Sequence, residues 1–141
     1  MPIALPEIVD SHCHLDFPEL EKDIDNVISR AKERGVSKFV TICTKEEDLE
    51  KVISLAESFK EIYFAFGLHP MNVSGSSKIS LESLLEAANH PKMVGIGETG
   101  LDYYYTVETK ELQIESLKTH IVAARKTNLP LIKKLVFQVL G

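Results

Sequence analysis

The sequence predicts an α/β fold built on a parallel sheet, and three observations carry that reading. Short β-branched or apolar runs alternate with stretches of helical period along the chain, the pattern of strand and helix in turn. The runs begin about 24 to 38 residues apart, the span of a βα unit. Each helical stretch carries one apolar stripe, so one side faces a sheet and the other faces water, and right-handed crossovers then make neighbouring strands parallel. A doubly wound sheet and a barrel both satisfy this pattern. Both gather ligands at the carboxyl ends of their strands.

The expected strands cover residues 8–10, 38–43, 62–67, 93–97 and Leu131–Val136. After the first, Leu20, Ile24, Val27, Ile28 and Ala31 recur at i, i+4, i+7, i+8 and i+11, which predicts a helix closed by Gly35 in a left-handed C-cap. After the second, Leu49, Val52, Ile53, Ala56 and Phe59 repeat the stripe, with Thr44 as cap and Glu47 at N3. A shorter helix opens at Ser80, with Leu84 and Ala87 inward. The last spans residues 107–128, with Leu117, Ile121 and Ala124 on its apolar face, and it ends before Pro130.

The 141 residues, 44% hydrophobic and 26% charged, suit one soluble core rather than a disordered tail or a disulfide scaffold. An eight-stranded α/β barrel takes about 250 residues. A formal charge of −5 argues against a passive nucleic-acid coat, which needs many Lys and Arg contacts to phosphate, but allows an enzyme that grips one phosphate through metal ions. Met1–Pro6 lacks the charged and apolar regions of a signal peptide, and no run reaches the roughly 18 apolar residues of a membrane span. Cys13 and Cys43 form no CxxC pair, so a reducing cytoplasm and no membrane association are expected.

Chemistry is therefore sought where strands close. His12 and His14 are two apart, so an extended backbone projects both imidazoles from one side; they form either a divalent-metal edge or a satisfied histidine pair. Asp10 can support an imidazole or serve as a polar turn residue, while Cys13 points the other way as a small apolar residue. Glu98, flanked by Gly97 and Gly100, follows the fourth run where backbone approaches closely, as a ligand or a solvated turn carboxylate. His69 follows the third run on the same rim, as a substrate or phosphate contact or a loop histidine, and Asp102 caps its loop or meets substrate. His90 precedes a strand and so belongs to the opposite end, and mid-helix His120 is expected to be partly exposed. No P-loop, GxGxxG, GxSxG or HExxH is present.

The strings Asp10-Ser11-His12-Cys13-His14-Leu15, Gly67-Leu68-His69-Pro70 and Gly97-Glu98-Thr99-Gly100-Leu101-Asp102, in that order and separation, resemble the TatD family of metal-dependent deoxyribonucleases, amidohydrolase-like TIM-barrel hydrolases. Gln113, Ala124 and Leu129-Pro130-Leu131-Ile132 match as well. The likeness covers about residues 8–132, the first half of such a protein, and implies about five βα units of a (β/α)8 TIM barrel that is not closed. It implies His12 and His14 as ligands of one divalent ion, Glu98 as the catalytic carboxylate bridging two, and His69 beside the substrate phosphate. Two magnesium or manganese ions per intact site, with zinc possible, and DNA as substrate, single-stranded or at 3′ ends, follow from the same resemblance.

The departures are as plain as the match. Where the family pattern calls for a further histidine ligand stands Lys134, and an ammonium cannot ligate a cation. Residues 133–141 diverge, and strands six to eight, with the family's remaining histidine and catalytic aspartate, do not follow. Residues 1–141 thus read as a single truncated domain, weak or inactive alone, whose open strand edges invite self-association. The competing reading is a non-catalytic half-barrel remnant or binding fragment from a frame interrupted near residues 132–134.

Overall fold

A computed structural model of the chain describes residues 6–137. The signal-peptide reading of Met1–Pro6 falls almost wholly outside that span, as do the last four residues of the divergent tail. Strands β1 (Ile8–Cys13), β2 (Val36–Cys43), β3 (Ile62–Phe66), β4 (Met93–Asp102) and β5 (Leu131–Val136) form one sheet in sequence order, every neighbouring pair parallel. Helices α1 (Pro18–Glu21), α2 (Ile24–Glu33), α3 (Leu49–Ser58), α4 (Leu81–Ala87) and α5 (Lys110–Thr127) fill the crossovers. Sequence order without a reversal is the barrel solution rather than the doubly wound one. With β1 and β5 each paired on one side, the sheet is an open half-barrel.

The core lies between sheet and helices. Phe39, Phe64, Phe66, Ile62 and Ile96 from the strands meet Ile28, Val52, Ala56, Leu84 and Ala123 from the helices, and all are buried. Each such large side chain contributes about 1.5–3 kcal/mol through its removal from water. The central strand β3 is buried almost throughout, whereas β1 and β5 are largely exposed, as edges must be.

Several local expectations are corrected. The stripe from Leu20 to Ala31 is two helices, broken at Lys22 and Asp23, because Pro18 opens a separate first turn ahead of α2. Gly35 does close that helix at φ 94°. Thr44 caps nothing: a 3-10 turn over Glu46–Asp48 intervenes, and the Thr44 carbonyl instead accepts from the His69 backbone at 3.0 Å and from Asn72 Nδ2 at 3.2 Å. Ser80 caps α4 as expected, its hydroxyl accepting from the Ser83 amide at 3.1 Å. The last helix begins at Lys110 after a short 3-10 turn and ends at Asn128, which takes a left-handed φ of 61° just ahead of Pro130.

The largest difference is β4, which continues past residue 97 to Asp102. The extension pairs Thr99, Gly100, Leu101 and Asp102 with Lys133 through Val136, with a register shift between Gly97 and Thr99. Gly97 at φ 139° makes that bulge possible: a Cβ there would meet the Ile132 carbonyl oxygen and lie 2.9 Å from Ile132 Cβ. Glu98 therefore sits on a bulge within a strand, not in a turn after one.

Candidate metal centre

His12 and His14 leave the carboxyl end of β1 on one side, their rings edge-on with centroids 5.5 Å apart. Glu98 reaches them from the β4 bulge, 7% exposed, with Oε2 3.2 Å from His12 Nε2. One donor atom from each of the three lies within 4.8 Å of the other two. Two ligands of a tetrahedral ion with bonds of about 2.0–2.1 Å stand roughly 3.3 Å apart, so the His12–Glu98 pair already has coordination spacing. His14 Nδ1 lies 3.3 Å from the Ile42 carbonyl oxygen. A carbonyl there accepts, which puts the proton on Nδ1 and leaves Nε2 free to ligate, the usual support for a metal-bound histidine. Two imidazoles and a carboxylate so prepared fit a divalent ion.

His69 joins the same rim from the end of β3. Its Nδ1 accepts from the Met71 amide at 3.1 Å, so a neutral ring carries its proton on Nε2, which lies 3.7 Å from Glu98 Oε1. Burial holds His69 below the ordinary imidazole range; the Glu98 charge opposes that shift and the Lys134 ammonium adds to it. Lys134, exposed on β5, borders the cavity of about 340 Å³ over these groups.

The supporting acids are placed as follows. Asp10 Oδ1 accepts from the His12 backbone amide at 3.2 Å, tying the main chain rather than an imidazole. Asp102 is fully buried; its Oδ1 accepts from the Tyr104 and Tyr105 amides at 3.0 and 2.8 Å, which shapes the loop after β4. Burial, with Asp10 and Asp16 nearby, pushes the Cys13 thiol up to about 12, so it stays neutral. His90 lies at the other end of the sheet, bonded at 3.0 Å to Glu57.

Two residues near the rim carry roles the sequence reading did not assign. His120, expected to be partly exposed, is fully buried: its Nδ1 donates to the Ser116 carbonyl at 2.6 Å and its Nε2 accepts from the Leu68 amide at 3.0 Å, next to His69. Gln113 is equally buried and clamps the β4 end, accepting from the Asp102 amide at 2.6 Å and donating to the Thr106 carbonyl at 2.7 Å. The signal for both was weak, since a polar residue on a long helix reads as solvated until the packing partner is known.

Parallel βα units with imidazoles and a carboxylate converging at the strand ends form a half-barrel with a candidate metal centre on its rim. The family model of TatD-related DNases matches residues 9–133, and the chain belongs to that family. It is 38% identical over 128 residues to the uncharacterized metal-dependent hydrolase YcfH of Escherichia coli K12, covering 89% of this chain and 48% of that one. It is 31% identical over 136 residues to the human deoxyribonuclease TATDN3, covering 87% and 50%. Among solved structures, YjjV, a TatD homolog from Escherichia coli, superposes with a TM-score of 0.80 at 34% identity over 91% of this chain and 50% of that one. The chain spans about half the length of the curated relatives it matches.

Proposed function

We propose that this chain carries the first half of the active site of a metal-dependent phosphodiesterase acting on DNA, single-stranded or at 3′ ends, with His12, His14 and Glu98 as metal ligands and His69 as the phosphate contact. The observation that carries the proposal is the convergence of those three donors, from two distant segments, within 4.8 Å. A divalent ion held there supplies a Lewis acid for phosphate oxygens and an acidified water. The chain's own residues do the rest. His14 is held in its ligating tautomer by the Ile42 carbonyl, Glu98 Oε1 and Oε2 face the cleft as acceptors, and the Nε2 proton of neutral His69 is available to a phosphate oxygen.

With Lys134 in the cleft and three ligands among the described residues, the chain alone is weak or inactive, and the full site takes two ions, magnesium or manganese. The isolated half, with two imidazole nitrogens, prefers zinc. Residues 1–141 act as one domain, with 133–141 departing from the family. The free thiols Cys13 and Cys43 fit a cytoplasmic protein, and no helix among the described residues is long and apolar enough to cross a membrane. Lys134 favours a second reading, a non-catalytic remnant whose exposed edges dock another chain.

Calorimetric titration with zinc and manganese, beside His12→Ala/His14→Ala, tests the centre: binding lost in the double variant supports it, and equal binding by both proteins removes the assignment. Incubation with single-stranded DNA and magnesium or manganese separates the two readings. Turnover abolished by His12→Ala favours the hydrolase, and inert protein favours the remnant.

A further inference from the structure

Strand β5 carries two adjacent lysines, and the sheet separates them. Leu131 packs against the core between sheet and helices. Side chains alternate between the faces of a strand, so Lys133 shares that face and Lys134 stands with Ile132 on the other. Ile132 marks the second face. A Cβ on Gly95 would lie 3.0 Å from its Cδ1 and 3.5 Å from Ala65 Cβ, and Ala65 stands on β3 between the core residues Phe64 and Phe66.

Lys134 accordingly lines the cavity over the metal centre together with His12, His14, His69 and Glu98. Its charge reaches His69, where it adds to the burial that lowers that imidazole's pKa. No carboxylate among the described residues pairs with it, although Glu98 borders the same cavity. A fixed ammonium beside a cation site acts with opposite sign on the two partners of that site. It repels a divalent ion, and it attracts the anion that such an ion recruits. Lysine has three donors on a flexible four-carbon stem and no lone pair for a metal, which suits it to a phosphate oxygen.

We propose that Lys134 is a phosphate-binding residue of this chain, its ammonium closing on one oxygen of a phosphate ester while a second oxygen meets the ion that His12, His14 and Glu98 hold. The assignment rests on the metal centre of the proposed function and deepens it. The cleft of this chain pairs one divalent ion with one fixed cation, so the ligand it takes is an oxyanion rather than a neutral amide or carboxylic ester.

Calorimetry on the 141-residue chain reads both signs. Zinc is titrated first, and methyl phosphate is then titrated into the zinc-loaded protein, for the wild type, Lys134→Gln and Lys133→Gln. Lys134 is exposed on an edge strand, so its replacement leaves the fold intact. Lys134→Gln should bind zinc about threefold more tightly and methyl phosphate about tenfold more weakly. Lys133→Gln removes the same charge from the opposite face and should change neither by more than about twofold. Lys134→Arg should keep the methyl phosphate affinity within about threefold of the wild type. Unchanged methyl phosphate binding in Lys134→Gln, equal losses in the two glutamine variants, or a zinc affinity that does not rise each overturns the assignment. Zinc binding in His12→Ala/His14→Ala is read separately. Zinc bound equally by that variant removes the metal centre and the Lys134 assignment with it, whereas zinc lost there with methyl phosphate binding indifferent to Lys134 removes the assignment alone.

Discussion

His120 is a residue whose protonation the fold opposes. Its Nε2 must keep a lone pair for the Leu68 amide, and its burial, only partly opposed by the bond to the Ser116 carbonyl, lowers its pKa below the ordinary value. The unfolded chain binds this proton more readily than the folded one. The contribution is therefore complete above the ordinary histidine value of about 6.5 and is lost as pH falls through the lowered folded value, with a slope of at most about 1.4 kcal/mol per pH unit. Urea midpoints between pH 7.5 and 5 should drop less steeply for His120→Gln than for the wild-type chain. Identical slopes would show that His120 does not titrate with folding. Legibility at this scale was uneven. The rim positions of His12, His14, Glu98 and His69 were legible because each stands at the end of an apolar run, whereas His120 and Gln113 lie on a helix face whose partners, the Leu68 and Asp102 amides, stand 52 and 11 residues away in sequence.

At the scale of elements, the parallel order of the five strands was legible because period and spacing are local properties. The length of β4 was not. Two glycines around a glutamate read as a turn, and only the pairing with β5 shows that Gly97 and Gly100 let a strand bulge and continue. The break between α1 and α2 was hidden for a related reason, since the apolar stripe runs on across a main-chain interruption. The bulge carries a prediction. Gly97→Ala forces a Cβ onto the Ile132 backbone at a φ of 139° that side chains avoid, so it should destabilise the chain by at least about 1–2 kcal/mol and also weaken zinc binding by moving Glu98. Gly75→Ala, where a Cβ meets nothing within 4 Å, is the matched control. Denaturant midpoints and zinc titration read both effects, and a Gly97→Ala chain as stable as Gly75→Ala would mean that β4 does not need its bulge.

At the scale of the whole sheet, the described residues present two edges of the same polarity, β1 and β5, each paired on one side. Val9 on β1 is 51% exposed and Leu135 on β5 is 47% exposed, so each edge is both apolar and open to a further strand. A two-fold axis can place β1 of one copy against β5 of a second and, by symmetry, β5 of the first against β1 of the second. Both new pairs are then parallel, like those within the sheet, and one operation removes all four edges. We expect the 141-residue chain to self-associate in a concentration-dependent manner, with dimer the smallest closed species. Sedimentation equilibrium across micromolar concentrations should show it, and Val9→Lys with Leu135→Lys should return the protein to monomer. Both positions are exposed, so the charges cost little in the folded monomer and act on pairing alone. A wild-type chain that sediments as a monomer at every concentration would mean that twist or edge side chains already protect the half-barrel.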